Sequence, residues 1–119
     1  YIYDYWKWDE DLIEDTLINE YNWELALDTK TTWRIGDGTA GFYNYIYYVM
    51  AGFTEHDTFR SNQVREGVIS REKGLKLVNE ENKPRYENIS QYLEILGLDF
   101  RTVINTINEA PKLWYQNPM

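Results

Sequence analysis

The stretch TAGFYNYIYYVMAG, residues 39–52, decides the fold of this chain because it is the most apolar helical segment in it. Apolar side chains recur there at the three- and four-residue spacing of an α-helix. Thr39 is a suitable N-cap, and Gly52 is a suitable stop. We therefore predict a central helix here, with the other segments packed around it. Its predicted buried side carries Phe42, Tyr43, Ile46, Val49 and Met50.

Five further helices are predicted from capping residues, apolar spacing and stop signals. Their expected N-caps include Asp9, Thr54, Ser70 and Asp99. The inward stripe predicted for the first helix is Leu12, Ile13, Leu17 and Tyr21. Residues 1–6 and 31–35 alternate as a strand does. The predicted fold class is all-α, with about six short helices in one compact domain over residues 1–119. A short strand or extended segment at the N-terminus is the alternative.

The composition of the chain excludes several classes of partner and chemistry. Twelve Lys and Arg against 20 Asp and Glu give a formal net charge of -8, which repels phosphate backbones and anionic lipid surfaces. No segment approaches the roughly 20 apolar residues that span a bilayer. We therefore predict neither a nucleic-acid nor a membrane partner. The absence of cysteine excludes a thiol nucleophile and fits a cytoplasmic location.

The sequence contains no complete catalytic set. The only histidine, His56, lies between Glu55 and Asp57, and this group fits the solvated first turn of a helix better than a metal site or an acid–base pair. The acidic run WDEDLIED, residues 8–15, is interpreted in the same way. The sequence therefore predicts no catalytic residue and no metal ligand.

The loop before the central helix is the first candidate for ligand binding. It contains Gly-Asp-Gly at residues 36–38, and Arg34, Asp37 and Thr39 there could meet an anionic or hydroxyl-rich ligand at the start of the helix. In the alternative interpretation, the glycines only supply the turn.

The third predicted helix is the second candidate. Arg60, Ser61 and Arg65 stand on it, within a segment that is polar on most of its surface. Such groups recognise carboxylate, phosphate or sugar, whereas the alternative is a solvated helix exterior.

An aromatic cluster occupies the first eight residues. Its members are Tyr1, Tyr3, Tyr5, Trp6 and Trp8. Such rings serve either as a stacking platform for sugars or as a surface that packs against a neighbouring segment. Because the first residue is not methionine, we expect Tyr1 to be an internal residue of a longer protein, and we favour the second interpretation.

Four segments of the sequence carry a resemblance to a known family. They are YWKWDEDLIEDTLINEYNWE (5–24), TTWRIGDGTAGFYNYIYY (31–48), GFTEHDTFRSNQVREGVISREKGLKLV (52–78) and YLEILGLDFRTVINTINEAPKL (92–113). The strongest signal is the order R-x-G-x-I-[ST]-R-E-x-G-x-x-L-V from Arg65 to Val78. Together they resemble the C-terminal helical region of the N-acetyl sugar amidotransferases. These are bacterial enzymes of the PP-loop ATP pyrophosphatase superfamily, associated with lipopolysaccharide and other surface glycans.

The resemblance implies a parent enzyme whose upstream sheet domain binds ATP and magnesium through a Ser-Gly-Gly-x-Asp-Ser loop. That enzyme adenylates a substrate oxygen and admits ammonia from a partner glutaminase. The loop does not occur in this sequence. The resemblance therefore implies a C-terminal lobe that is inactive alone, holds no cofactor itself, and contributes contacts to the sugar substrate or to a homodimer. On this hypothesis, the substrate-binding residues are Arg34, Asp37, Thr39, Arg60, Ser61 and Arg65.

Two other classes of function stay open. A noncatalytic helical module could dock a partner protein or dimerise through its aromatic ends. A small carbohydrate-binding domain would rest only on the aromatic residues and the acidity of the chain.

Overall fold

Six α-helices make up most of the described part of the chain. The computed structural model describes residues 1–27 and 38–112, apart from the side chain of Tyr3. The helices are α1 (Glu10–Asn19), α2 (Ala40–Ala51), α3 (Glu55–Arg65), α4 (Arg71–Glu81), α5 (Tyr86–Ile95) and α6 (Phe100–Glu109). The predicted all-α fold is confirmed. Over these residues, no helix is both long and apolar enough to cross a membrane.

The N-terminal segment forms a helical turn where a strand was the alternative. Ile2–Asp4 is a 3-10 turn. The amide of Asp4 donates to the carbonyl of Tyr1, and the amide of Tyr5 donates to the carbonyl of Ile2, both at 3.1 Å. No strand is present within residues 1–27 and 38–112. The second alternating stretch, 31–35, lies outside the described residues. Without a neighbouring strand, local turns satisfy the backbone groups here.

Four helices are capped at their N-termini by the predicted residues. The carboxylates of Asp9 and Asp99 accept from the amides of Leu12 and Thr102, at 3.0 and 2.8 Å. Ser70 Oγ accepts from the amide of Lys73 at 3.1 Å. At α3, Thr54 and Asp57 form a capping box. Thr39 stands at the N-cap of α2, but its side chain makes no capping hydrogen bond.

The apolar core lies between α2, α5 and α6. Ile89 and Leu93 of α5 are fully buried, and Tyr45 of α2 is only 6% exposed. The hydroxyl of Tyr45 donates to Oδ1 of Asn108 at 2.8 Å, which satisfies the polar end of an otherwise buried ring. The half-buried side chains around them are Phe42, Val49, Phe100, Val103, Ile104 and Ile107. Helix α2 thus shares the core with α5 and α6, and its most buried aromatic residue is Tyr45.

Helices α2 and α5 approach each other closely at Gly41. A Cβ atom at this position would lie 2.3 Å from Oδ1 of Asn88 and 3.6 Å from Cβ of Arg85. A side chain at position 41 would therefore displace the side chain of Asn88. Gly41 leaves room for that side chain between the two helices.

Helices α3 and α4 form an antiparallel hairpin. Thr54, at the start of α3, donates to Oδ1 of Asn82 at 2.5 Å, and Nδ2 of Asn82 donates to Asp57 at 2.8 Å. These bonds join the first turn of α3 to the end of α4. Gly74 of α4 lies where a Cβ atom would be 3.0 Å from Val64, so the two helix backbones are close there.

The hairpin meets the apolar core through Glu55. Its carboxylate accepts from the hydroxyl of Tyr43 and, at 3.1 Å, from Nδ2 of Asn44, and both donors belong to α2. The described fold thus consists of an apolar group of three helices joined to a polar hairpin.

Truncation of the core should destabilise the chain strongly. We expect Leu93→Ala to lower the free energy of unfolding by about 2 to 5 kcal/mol, because it leaves a cavity between α2, α5 and α6. Ile95→Ala is the matched control: Ile95 is 82% exposed, so its truncation should cost less than about 0.5 kcal/mol. Urea unfolding followed by circular dichroism measures both. Equal losses would contradict this assignment of the core.

Candidate functional site

Three polar side chains occupy the inward face of α3. His56, Arg60 and Gln63 lie three or four residues apart and so share one side of the helix. Their exposed fractions are only 7%, 5% and 5%. A surface helix normally buries an apolar stripe, and buried polar groups destabilise a fold unless they find hydrogen-bond partners. The partners of these side chains therefore decide how α3 is held.

Arg60 is the centre of a buried ion-pair cluster made of Glu10, Arg60, Gln63 and Glu81. Nε of Arg60 donates to the two carboxylate oxygens of Glu81 at 3.0 and 3.2 Å, and Nη2 also donates to Glu81. Nη1 donates to Glu10 and, at 2.8 Å, to Oε1 of Gln63. Nε2 of Gln63 donates to Glu10 at 3.1 Å. One guanidinium thus joins α1, α3 and α4.

The electrostatics of the cluster keep Arg60 charged. Burial alone would lower its pKa, but the hydrogen bonds to Glu81 and Glu10, together with the charges of those carboxylates, outweigh burial and raise the pKa. The side chains of Arg60 and Glu81 are 6% and 5% exposed. Removing the guanidinium would therefore leave carboxylates in a poorly hydrated place, which is costly.

Helix α1 contacts α3 through Glu10 of this cluster. No residue of α1 is buried. Leu12 and Tyr21 are 63% and 72% exposed, so the predicted inward stripe is wrong for these two residues. Ile13 and Leu17 are half-buried. The apolar spacing of α1 correctly predicted a helix. Its inward contacts also include Glu10, in the first turn, which binds Arg60.

The structure brings two of the predicted binding residues together at the surface. Nη1 of Arg65 donates to Oγ of Ser61 at 2.9 Å, and Nη2 donates to Oδ1 of Asn62. Ser61 and Arg65 are both exposed. Arg60 lies on the inward side of the same helix, and its donors are directed to Glu10, Gln63 and Glu81. The substrate role predicted for Arg60 stays a prediction. These contacts do not favour it, because they already use the donors of its guanidinium.

The other predicted binding residues belong to the loop before α2. Thr39 is half-buried at the N-cap of that helix. Arg34 and Asp37 lie outside the described residues. The prediction that this loop and α3 share one ligand therefore stays a prediction.

His56 is buried next to the ion-pair cluster, so its interpretation as part of a solvated turn is wrong. It stands one turn before Arg60 and faces inward with it. Among the described residues, Nδ1 of His56 has no hydrogen-bond partner. Burial lowers the pKa of His56, although the charges of Glu81 and Glu55 act in the opposite sense. Burial therefore favours the neutral form of the imidazole.

A cleft of about 660 Å³ lies between α3 and the segment that precedes α1. We call it the α3 cleft, and its lining residues are Lys7, Trp8, Phe59, Asn62, Gln63, Glu66 and Val68. Gln63 belongs to both the cleft and the ion-pair cluster, and Asn62 accepts from Arg65. Two rings offer apolar stacking, while the amide, ammonium and carboxylate groups offer hydrogen bonds. This combination suits a polyhydroxylated ligand.

The α3 cleft contains residues that sequence reasoning did not select for binding. On α3, Phe59, Asn62 and Glu66 recur at three- and four-residue spacing, so a search for one helix face could have found them. Trp8 was noted only as part of the aromatic cluster. No local pattern connects Lys7 and Trp8 with α3, since the fold brings them together. Within the described ranges, no three His, Cys, Asp or Glu residues are grouped as metal ligands.

Comparison with known proteins found no similarity: no family model matches the chain, and neither the curated proteins nor the solved structures include a match.

Replacing Arg60 should destabilise the fold. We expect Arg60→Met to lower the free energy of unfolding by about 3 to 5 kcal/mol, because Glu10 and Glu81 lose their counter-ion. Adding Glu81→Leu should recover part of this loss, since it removes one buried carboxylate. Arg65→Ala is the control and should cost less than about 0.5 kcal/mol at its exposed position. A loss below about 1 kcal/mol for Arg60→Met, measured by urea unfolding, would contradict this account.

His56 should make stability depend on pH below neutrality. The unfolded chain binds a proton at this histidine near its ordinary pKa of 6.5, whereas the folded chain resists protonation. Stability should therefore fall as the pH decreases below 6.5, by at most about 1.4 kcal/mol per pH unit from this group. Unfolding of the wild type and of His56→Gln at pH 7.5 and 5.5 measures the effect. If His56→Gln lost as much stability as the wild type, this role of His56 would be rejected.

Proposed function

We propose that this chain is the C-terminal helical lobe of a PP-loop ATP-dependent N-acetyl sugar amidotransferase of bacterial surface polysaccharide biosynthesis. The lobe contributes contacts to the sugar substrate or to a second copy of the enzyme in the cytoplasm. The sites for ATP and magnesium and the surface that meets the glutaminase belong to the rest of the parent enzyme.

The α3 cleft is the observation that carries this proposal. Its volume of about 660 Å³ lies in the range of small-molecule sites. Trp8 and Phe59 supply apolar ring surface, and Asn62 supplies an amide, a combination that fits a sugar ring and its hydroxyl and acetamido groups. Gln63, bonded to Arg60 and Glu10, is a fixed part of the cleft wall.

The motif from Arg65 to Val78 supports the proposal in a second way. Several of its fixed positions have a structural reason: Gly67 has φ 72° in the turn, Ser70 caps α4, and Gly74 packs closely on Val64. Arg65, the first residue of the motif, instead lies at the surface beside Asn62, which lines the cleft. An exposed arginine next to a cleft is well placed to contact an anionic group of a sugar nucleotide.

The alternative proposal is a noncatalytic interaction module. Its support is the apolar surface near the N-terminus, where Trp6, Leu12 and Leu27 are 73%, 63% and 104% exposed. Exposed apolar surface of this kind is typical of protein interfaces. The same surface would serve to pack the lobe against its parent enzyme.

Substitutions in the full-length protein test the proposal. We expect Arg65→Ala and Trp8→Ala each to lower the rate of sugar-dependent AMP release by about tenfold, as lost hydrogen bonds or stacking of about 1.4 kcal/mol would do. Arg65 is exposed, so Arg65→Ala should change the melting temperature little. Arg101→Ala, at an exposed arginine of α6, is the matched control and should keep full activity.

The outcome separates the two proposals. Unchanged turnover in both cleft variants would reject the α3 cleft as a substrate site. A full-length protein that binds partner proteins or itself, but releases no AMP with any candidate sugar and ammonia, would favour the interaction module.

A further inference from the structure

Helix α1 presents a mixed apolar and acidic face to solvent. Asp11, Leu12, Asp15, Ile18 and Asn19 are exposed, and residues at such spacings of one, four, seven and eight share one side of a helix. We call this side the α1 outer face. Leu12 is 63% exposed and Ile18 is 37% exposed, so two branched apolar side chains contact water beside two carboxylates. The other five residues of α1 are half-buried.

The two carboxylates of the α1 outer face have no cationic partner among the described residues. Asp15 accepts from Nδ2 of Asn19 at 2.7 Å, and this amide is neutral. The ion pairs within residues 1–27 and 38–112 involve neither Asp11 nor Asp15. Both charges are therefore available to a partner that carries basic residues.

The negative charge of the protein is concentrated in the segment that contains α1. Residues 1–27 hold eight Asp and Glu and a single Lys. Residues 38–112 hold ten Asp and Glu and nine Lys and Arg, so this larger part is nearly neutral. The field around α1 consequently attracts a basic partner, and it repels a second copy of the same face.

The shape of the α1 outer face favours a helical partner. Side chains on one side of a helix form ridges that fit into the grooves of another helix, and an amphipathic helix supplies the apolar side chains for such a contact. An extended peptide would instead need a free sheet edge, and the part of the chain that the structure describes contains no strand. Carboxylates beside an apolar contact pair with Lys or Arg at the border of the partner's apolar side.

We propose that the α1 outer face binds a basic amphipathic helix of a partner protein. Leu12 and Ile18 pack against the apolar side of that helix, and Asp11 and Asp15 pair with its lysines or arginines. This interaction goes beyond the proposed function, because it requires neither ATP nor a sugar and uses no residue that lines the α3 cleft.

Titration with designed peptides tests the proposal. The probe is a blocked peptide of about 18 leucines and lysines arranged as an amphipathic helix. One control peptide replaces every lysine by glutamate, and a second scrambles the order of the probe so that its apolar side is lost. Nuclear magnetic resonance of the labelled protein should show saturable shifts of the amides of Asp11, Leu12 and Ile18 with the probe. Both controls should bind at least about tenfold more weakly.

Two results of the titration would overturn the proposal. One is equal binding of the probe and either control peptide, and the other is the absence of shifts at the three amides. Binding of the probe should also weaken as salt is added, because dissolved ions screen exposed charges.

Paired variants separate the α1 outer face from the overall charge. Asp11→Asn combined with Asp15→Asn should weaken binding of the probe about fivefold, as loss of two exposed ion pairs would do. Glu87→Gln combined with Glu94→Gln is the matched control, since it changes the net charge equally at exposed positions of α5. An equal loss in the two double variants would reject the face as the binding site.

The apolar contact has its own variant. Leu12→Ala should weaken binding of the probe about fivefold, because less apolar surface is buried, and undiminished binding would contradict the proposed contact. Sedimentation of the protein alone tests the alternative occupant. A monomer agrees with the proposal, whereas self-association that Leu12→Ala abolishes would assign the face to a second copy and overturn the proposal.

Discussion

The buried guanidinium of Arg60 is the constraint on which the polar half of this fold depends. It is hydrogen-bonded to carboxylates from α1 and α4 and to an amide from its own helix. A buried charge is stable only while its partners stay in place, because the protein interior cannot replace them with water. The relative positions of α1, α3 and α4 are therefore restricted by the geometry of one planar group, which binds its partners in fixed directions.

The two halves of the described fold are stabilised by different physical effects. Between α2, α5 and α6, burial of Tyr45, Ile89 and Leu93 provides a hydrophobic core. The α3–α4 hairpin instead buries His56, Arg60 and Gln63, and it depends on directional hydrogen bonds. Hydrophobic packing tolerates small rearrangements of shape, whereas a polar face does not tolerate the loss of a partner. Conservative substitutions should therefore lower the free energy of unfolding less in the apolar half than on the polar face of α3.

The helices could be predicted from the sequence because their signals are local. Asp9, Thr54, Ser70 and Asp99 cap helices where expected, since each contacts an amide two or three residues away. The ion-pair cluster could not be predicted, because Glu10, Arg60 and Glu81 are far apart in sequence and each fits an exposed helix surface. The α3 cleft was only partly predictable: Arg65 and Ser61 stand beside it, but the contribution of Lys7 and Trp8 depends on the fold.

The attachment of α1 has a consequence for local opening of the chain. The hairpin is joined at one end by Thr54, Asp57 and Asn82 and along its length by the contact of Gly74 with Val64, so its backbone amides should exchange with solvent as one cooperative unit. Helix α1 contains no buried residue and contacts this unit through a glutamate at its first turn. It should therefore open at a lower free energy than the hairpin. Its release would expose Arg60 and break the hydrogen bond of Gln63 to Glu10. The lifetime of the α3 cleft in its described shape therefore depends on the stability of α1.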